Sequence, residues 1–278
     1  MERPLVSIII PAYNEGMVIE RLLKSIKGQT YKNIEIIVVD DGSSDKTFTL
    51  AKKYTDKVYK KLRRSERSAT RNFGASKSKG KYLFFLDADM ELTSDVVSAC
   101  IKKAVRFKKV GGIVIPEESI ANTFWEKVKA YERSFYNLKG DYNIEAARFF
   151  NRSIYDKAGG YDETVTGPED WLLPETIRKK GYQILRVDNT YIYHHERIKN
   201  IFSLAKKKYY YGLKSRKYLS KTNLSPFNEK TIYFLRPAFY KNWKRLVTNP
   251  FMSTAMIIML SVEQIAGITG YVHGYFKK

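Results

Sequence analysis

The chain has 278 residues, a formal charge of +21 and 44% hydrophobic residues. That length allows one large domain with a full core, or one domain and an appendage, and the apolar content excludes a disordered chain. A lone cysteine, Cys100, excludes an internal disulfide framework and fits a reduced, cytoplasmic compartment.

The opening MERPLVSIIIPAYNE has too short an apolar run for a secretion signal and leads straight into polar residues. The basic excess points to an anionic partner: nucleic acid, anionic lipid or a phosphorylated small molecule. It is concentrated late in the chain. Between Arg197 and Val262 the only acid is Glu229, against fourteen Lys and Arg.

Residues 5–11 are a continuous Ile-rich run, which reads as a buried parallel strand. Apolar residues at Val18, Ile19, Leu22, Leu23 and Ile26 then predict a helix over 17–26. A second strand follows over 34–39, and a helix over 45–54 capped by Ser43 and Ser44. A short strand over 58–62, a helix over 67–77 and a strand over 82–86 continue the alternation. Thr93, Ser94 and Asp95 are expected to cap a helix running to about Phe107, before a strand over 112–115. The second half predicts a long helix over 120–138, a strand over 146–150 and a turn at Gly159-Gly160. A helix over 170–180 comes next, with Pro174 in its first turn. Strands over 182–187 and 191–194 precede a basic, tyrosine-rich helix, a loop over 223–228 and two apolar segments. The expectation is an α/β fold with a doubly wound, mostly parallel sheet, which binds ligands at the carboxyl ends of its strands.

The polar signatures fall at those ends. Asp87-Ala88-Asp89 follows the strand YLFFL, and two carboxylates at i and i+2 can share a hard cation such as Mg²⁺ or Mn²⁺, which bridges to phosphates. Taken alone, the triplet is equally a turn before a helix. Asp40-Asp41 follows IEIIVV, where a carboxylate can accept hydrogen bonds from a base or ribose. Gly167-Pro168-Glu169-Asp170 opens a helix, and Asp170 has the chemistry of a general base. His194 and His195 end a strand. His194, on the face of Ile192, is the better placed to complete a metal shell. Arg67 and Arg71 share a helical face and are suited to a diphosphate, with Arg71 and Asn72 favoured by the pattern SATRN.

In order, VSIIIPAYNE, VVDDGSSDKT, SATRNFGAS, KYLFFLDAD, AGGYDE, GPEDW and the histidine pair resemble the family 2 glycosyltransferases, over roughly residues 5–196. The resemblance implies a GT-A fold and inversion at the anomeric carbon. It implies that Pro11, Ala12, Tyr13, Asn14, Glu15, Asp41, Arg71, Asp87, Ala88 and Glu169 bind the nucleotide sugar. Asp87, Asp89 and His194 would hold Mn²⁺ or Mg²⁺, and Asp170 would deprotonate the acceptor. The charged RRSER before SATRN and Leu172-Leu173-Pro174 in the following helix depart from the family pattern. Both bear on donor or acceptor recognition.

Residues 1–196 are thus expected to be the catalytic domain. Residues 197–278 form a basic, aromatic and apolar helical extension of the kind that meets membranes. Its apolar stretch over 251–272 approaches a spanning length, but Glu263 and Gln264 in its middle favour an interfacial or re-entrant helix. The C-terminal pattern resembles membrane-associated family members, implying a lipid-linked acceptor at the cytoplasmic face. A UDP-sugar is preferred to a GDP-sugar as donor. Two other readings compete. A nucleic-acid-binding protein would suit the charge and the tyrosines but leaves the strand-end aspartates unexplained. A sugar-nucleotide pyrophosphorylase would need a glycine-rich phosphate loop that PAYNEG does not supply. GxxxxGK[ST] and GxGxxG motifs are absent.

Overall fold

The computed structural model describes residues 3–137, 140, 146–222 and 231–276. In chain order the elements are β1 (Val6–Ala12), α1 (Ile19–Lys27), β2 (Ile34–Asp40), α2 (Thr47–Lys52), β3 (Val58–Lys60), α3 (Arg67–Ser76), β4 (Tyr82–Phe85) and β5 (Met90–Leu92). Then come α4 (Val96–Arg106), β6 (Val110–Val114), β7 (Glu117–Ile120), α5 (Phe124–Arg133), β8 (Ala147–Asn151), α6 (Arg152–Ala158), α7 (Glu169–Lys179), β9 (Gln183–Arg186) and β10 (Ile192–His195). The remainder is helical: α8 (Ile201–Thr222), a 3₁₀ turn at Tyr233–Leu235, α9 (Pro237–Lys241), α10 (Trp243–Thr248) and α11 (Pro250–Phe276).

The chain divides into two compact units. The first comprises Met1–Glu117, Ala146–Glu163 and Glu169–His194; the second comprises Glu118–Glu145, Thr164–Pro168 and His195–Lys278. Residues 118–137 and 164–168 thus group with the C-terminal helices.

The first unit is built on a seven-stranded sheet of order β3-β2-β1-β4-β8-β6-β9. β8 is antiparallel to both neighbours, and the other pairings are parallel. Both faces are covered, which is why β1 and β2 read as unbroken apolar runs. Ile8 and Ile10 pack with Leu22 and Leu23 of α1 and Val97 of α4. Ile9 and Phe85, on the other face, pack with Ile154 of α6 and Ile177 of α7. Gly74 lets α3 lie against β1, because a Cβ there would stand 2.5 Å from Ile9 Cγ2. A small second pairing sets β5 antiparallel to β10, with His194 opposite Met90.

Several local expectations are revised. Asp45, not Ser43 or Ser44, accepts from Thr47 N at the start of α2. The side chains of Thr93, Ser94 and Asp95 do not cap α4; Gln29 Oε1 accepts from Val97 N instead. Pro174 is the sixth residue of α7, which starts at Glu169, and so lies in its second turn, not its first. The helix expected over 120–138 is described as Phe124–Arg133. Residue 138 and the loop over 223–228 lie outside the described residues. β5, β7 and α6 are too short to leave a periodic signal.

In the second unit α5, α8 and α11 pack around Val128, Phe135, Leu204, Met256, Met259 and Leu260. Inside lies an ionic cluster. Lys129 Nζ is 3.0 Å from Glu263 Oε1 and 3.1 Å from Glu132 Oε2. Arg236 Nη1 donates to Glu132 at 2.8 Å, and Lys208 lies 3.5 Å from Glu263. Gln264, the other polar residue in the middle of α11, accepts from Tyr233 N and donates to Thr231 O.

Burial alone would raise the Glu263 carboxyl, but Lys129 and Lys208 outweigh it and hold the group at about 2. A depressed carboxylate contributes stability above its unfolded value, and that stability is lost as pH falls through the folded value. Between pH 4.5 and 2, unfolding free energy should therefore drop by up to about 3 kcal/mol on account of Glu263. In Glu263→Gln, urea titrations across that range should give a lower but flatter stability profile. An unchanged acid slope rejects the assignment.

Candidate active site

The carboxyl ends of β1 and β2 are tied into one shelf. Asn14, with φ at 55°, donates its N–H to Ser43 Oγ and accepts from Ser44 N through Oδ1. Glu15 N donates to Thr47 Oγ1, and Asp41 N donates to Ala12 O at 2.8 Å. Tyr13 lies under the Arg64 guanidinium, 4.4 Å from its ring centre. Asp41 accepts from Ser65 N at 2.9 Å and Ser65 Oγ at 3.0 Å, so it anchors the loop ahead of α3. Asp40, the other carboxylate of the strand-end pair and not among the residues that the resemblance assigns to the nucleotide, is fully buried. Its Oδ1 accepts from Ser43 N, while Oδ2 has no partner among the described residues. A buried carboxylate oxygen left open at a strand end is suited to a ligand donor.

Next to this shelf, Arg71 is fully buried on the inner side of α3. Its Nη1 reaches Asp170 Oδ1 at 2.5 Å and its Nη2 reaches Asp87 Oδ1 at 3.0 Å. Glu169 lies 3.9 Å away, and the ring of Tyr161 faces the guanidinium at 5.0 Å. Burial lowers the arginine's affinity for its proton, but Asp170 and Asp87 outweigh burial and hold it well above its ordinary value. Asp87 goes the other way: burial raises it, while Arg71, Arg67 and Arg148 take it well below the usual carboxylate range. Glu169 is raised, first by burial and then by the neighbouring Asp170. Two adjacent carboxyls thus sit in contrasting surroundings, one bonded to the guanidinium and one driven toward its neutral form.

The charges continue past Asp87. Arg148 Nη1 is 3.5 Å from Asp87 Oδ2, and its Nε donates to Glu117 at 2.6 Å. Glu117 Oε2 lies 3.4 Å from His194 Nδ1. The other ring nitrogen, Nε2, is 3.7 Å from Asp89 Oδ2. The β5–β10 pairing causes this approach, since His194 stands opposite Met90, the residue after Asp89. With Glu117 on the Nδ1 side, Nε2 is the ring atom turned toward Asp89. An imidazole nitrogen and a carboxylate oxygen at this distance match two positions in the shell of a divalent cation. Among the described residues no group of three or more such side chains converges. The rest of a shell would come from phosphate oxygens and water.

Arg148 and Glu117 escaped the sequence reading. Arg148 sits at the start of β8, and because β8 runs backwards, its start lies at the carboxyl ends of β4 and β6. That reversal had no signal in the pattern. Asn72, grouped with Arg71 by the motif, is instead structural. Its Nδ2 donates to Tyr161 O and Glu163, and its Oδ1 accepts from Tyr155 OH and Tyr161 N.

Residues 7–160 match the family described as Glycosyl transferase family 2. An uncharacterized glycosyltransferase of Rickettsia typhi is 30% identical over 210 residues, 71% of this chain and 64% of its own. A Campylobacter jejuni GalNAc(5)-diNAcBac-PP-undecaprenol beta-1,3-glucosyltransferase is 27% identical over 202 residues, 68% of this chain and 64% of its own. The chain spans less than two thirds of the length of these curated relatives. Among solved structures, a Pyrobaculum calidifontis mannosyltransferase in complex with GDP-Man and Mn²⁺ superposes with TM-score 0.66. That match has 17% identity and covers 100% of this chain and 88% of that one; it shows a shared GT-A fold.

Removing one partner from a buried ion network leaves the others unpaired, at a cost of about 3–5 kcal/mol. Arg71→Met should lower stability by that order in urea titrations, and Arg71→Lys by less. A loss below about 1 kcal/mol in Arg71→Met, within the range of an exposed pair, contradicts the central place of this arginine.

Proposed function

This chain belongs to glycosyl transferase family 2, and we propose that it transfers a sugar from a nucleotide-diphosphate donor to a lipid-linked hydroxyl acceptor, with inversion at the anomeric carbon. The observation that carries this reading is the convergence of Asp87 and Asp170 on buried Arg71, with Asp89 and His194 adjoining. The undecaprenol-linked substrate in the name of the Campylobacter relative supports the acceptor class.

Each residue has a defined task. Residues 11–15, Asp40 and Asp41 form the shelf for base and ribose. Arg71, fully buried with both Nη atoms on carboxylates, would serve the donor site by orienting Asp87 and Asp170, not by touching the diphosphate itself. Asp89 and His194 would hold Mn²⁺ or Mg²⁺, with Asp87 at the same strand end. When bound, the cation neutralises charge on the departing diphosphate. Asp170 takes the proton of the acceptor hydroxyl as its oxygen bonds to the anomeric carbon. The bond from that carbon to the diphosphate breaks, and its electron pair leaves with the nucleotide. Arg71 orients Asp170, with Glu169 beside them.

Asp89→Ala should abolish the metal-dependent part of nucleotide affinity while leaving the fold intact. Calorimetry with UDP or GDP, with and without Mn²⁺, reads this directly, and an unchanged metal effect removes Asp89 from the cation site.

Asp170→Asn should reduce turnover by about 10²-fold or more and keep nucleotide affinity, since it preserves size and removes basicity. Release of nucleoside diphosphate across a donor panel is the assay. Near-normal turnover would mean that the acceptor needs no base, as with a phosphate that is already ionised.

A further inference from the structure

We infer that the outward face of α11 lies in the plane of an anionic bilayer surface and that the helix does not cross the membrane. This rests on the proposed membrane-borne acceptor for its purpose and names the surface that meets the lipid.

By length and composition α11 is able to span a bilayer. Glu263 is the one residue of Asp, Glu, Lys or Arg type between 250 and 276. Yet only 33% of its most apolar 18-residue window is buried, whereas the core helix of a soluble protein is mostly covered. The exposed and buried residues divide by angle. Met256, Met259, Leu260 and Glu263 are buried on one side. Phe251, Ile258, Ile265, Ile268, Val272 and Phe276 are exposed on the other. At 1.5 Å per residue this stripe runs about 40 Å, with no charged side chain along it.

The neighbouring helix decides between crossing and lying flat. A Cβ on Gly212 would stand 2.2 Å from Gly267 O, one on Gly270 2.2 Å from Tyr209 O, and one on Gly274 2.5 Å from Leu213 O. The backbones of α8 and α11 therefore touch, and the C-terminal half of α11 cannot enter the hydrocarbon without α8. That helix carries Lys206, Lys207 and Arg216 exposed and Lys214 half-buried. Hydrocarbon excludes such groups, whereas headgroup phosphates attract them. Lying flat buries the apolar stripe and leaves the cations at headgroup depth. Tyr240 and Trp243, exposed beside Lys241 and Lys244 just ahead of α11, have the mixed character of the membrane interface.

The test uses the full chain with an environment-sensitive dye on one introduced cysteine: Phe251→Cys, Ile265→Cys or Val272→Cys. Native Cys100 is buried and stays in place. The probe is vesicles of phosphatidylcholine and phosphatidylserine containing lipids brominated at shallow or deep chain positions. All three labels should brighten on vesicle addition and be quenched equally, most by the shallow bromines. A label at 265 quenched most by the deep bromines, with 251 and 272 shallow, overturns the in-plane orientation. No brightening at any position overturns the docking itself, and self-association by sedimentation velocity would then identify a second copy as the cover. An Ile258→Asp/Ile265→Asp variant should lose vesicle partitioning at least tenfold and retain its nucleotide-dependent thermal shift; unchanged partitioning counts against the inference. Vesicle docking without any nucleotide binding in the wild type would sink the proposed function alone.

Discussion

Arg71 is the constraint on which the first unit depends. A guanidinium wholly removed from water is tolerated only when fixed carboxylates surround it. Here they come from separate stretches of chain: Asp87 after β4, and Glu169 and Asp170 at the start of α7. Satisfying one arginine therefore fixes the positions of α3, the β4 loop and α7 together. The requirements of folding and of the candidate chemistry coincide at this residue. The carboxylates that neutralise the buried charge are also those able to bind a cation or accept a proton.

From that centre the alternation of sign carries order outward. Asp87 is shared between Arg71 and Arg148, Arg148 between Asp87 and Glu117, and Glu117 between Arg148 and His194. Each group is oriented by two neighbours, which leaves little freedom for the imidazole beside Asp89. Such a chain keeps its reactive ends in place without a rigid loop, because displacing one member would leave its partners unpaired in a low dielectric.

The second unit solves a related problem with other means. Glu263 interrupts an apolar helix and would be costly if it met hydrocarbon or an apolar core alone. Lys129 and Lys208 neutralise it, Glu132 and Arg236 extend the cluster, and glycine contacts clamp α11 against α8. The inward side of α11 is thereby fully committed within its unit, and the outward side stays apolar.

Sequence alone determined the alternating architecture, because strands buried on both faces must be written as unbroken apolar runs and their covering helices with a 3.6-residue period. It also marked the strand-end carboxylates, since polar clusters directly after such runs have nowhere to lie except the carboxyl edge of the sheet, and it marked Asp170 by the acidic helix start GPEDW. It could not disclose that β8 runs backwards, because a four- or five-residue apolar run reads the same in either direction. Hence Arg148 stayed invisible; Glu117, just after β6, was passed over, and Asn72 passed for a ligand when its amide holds residues 155–163 in place. The pairing of β5 with β10, which brings His194 to Asp89, joins residues about a hundred positions apart through a three-residue strand. Length, apolar content and the position of Glu263 favoured an interfacial or re-entrant helix for α11 but could not name its packing partner, because they describe one helix in isolation. Only the tertiary structure showed that its backbone lies against α8, because close approach of two helices at glycines depends on both partners.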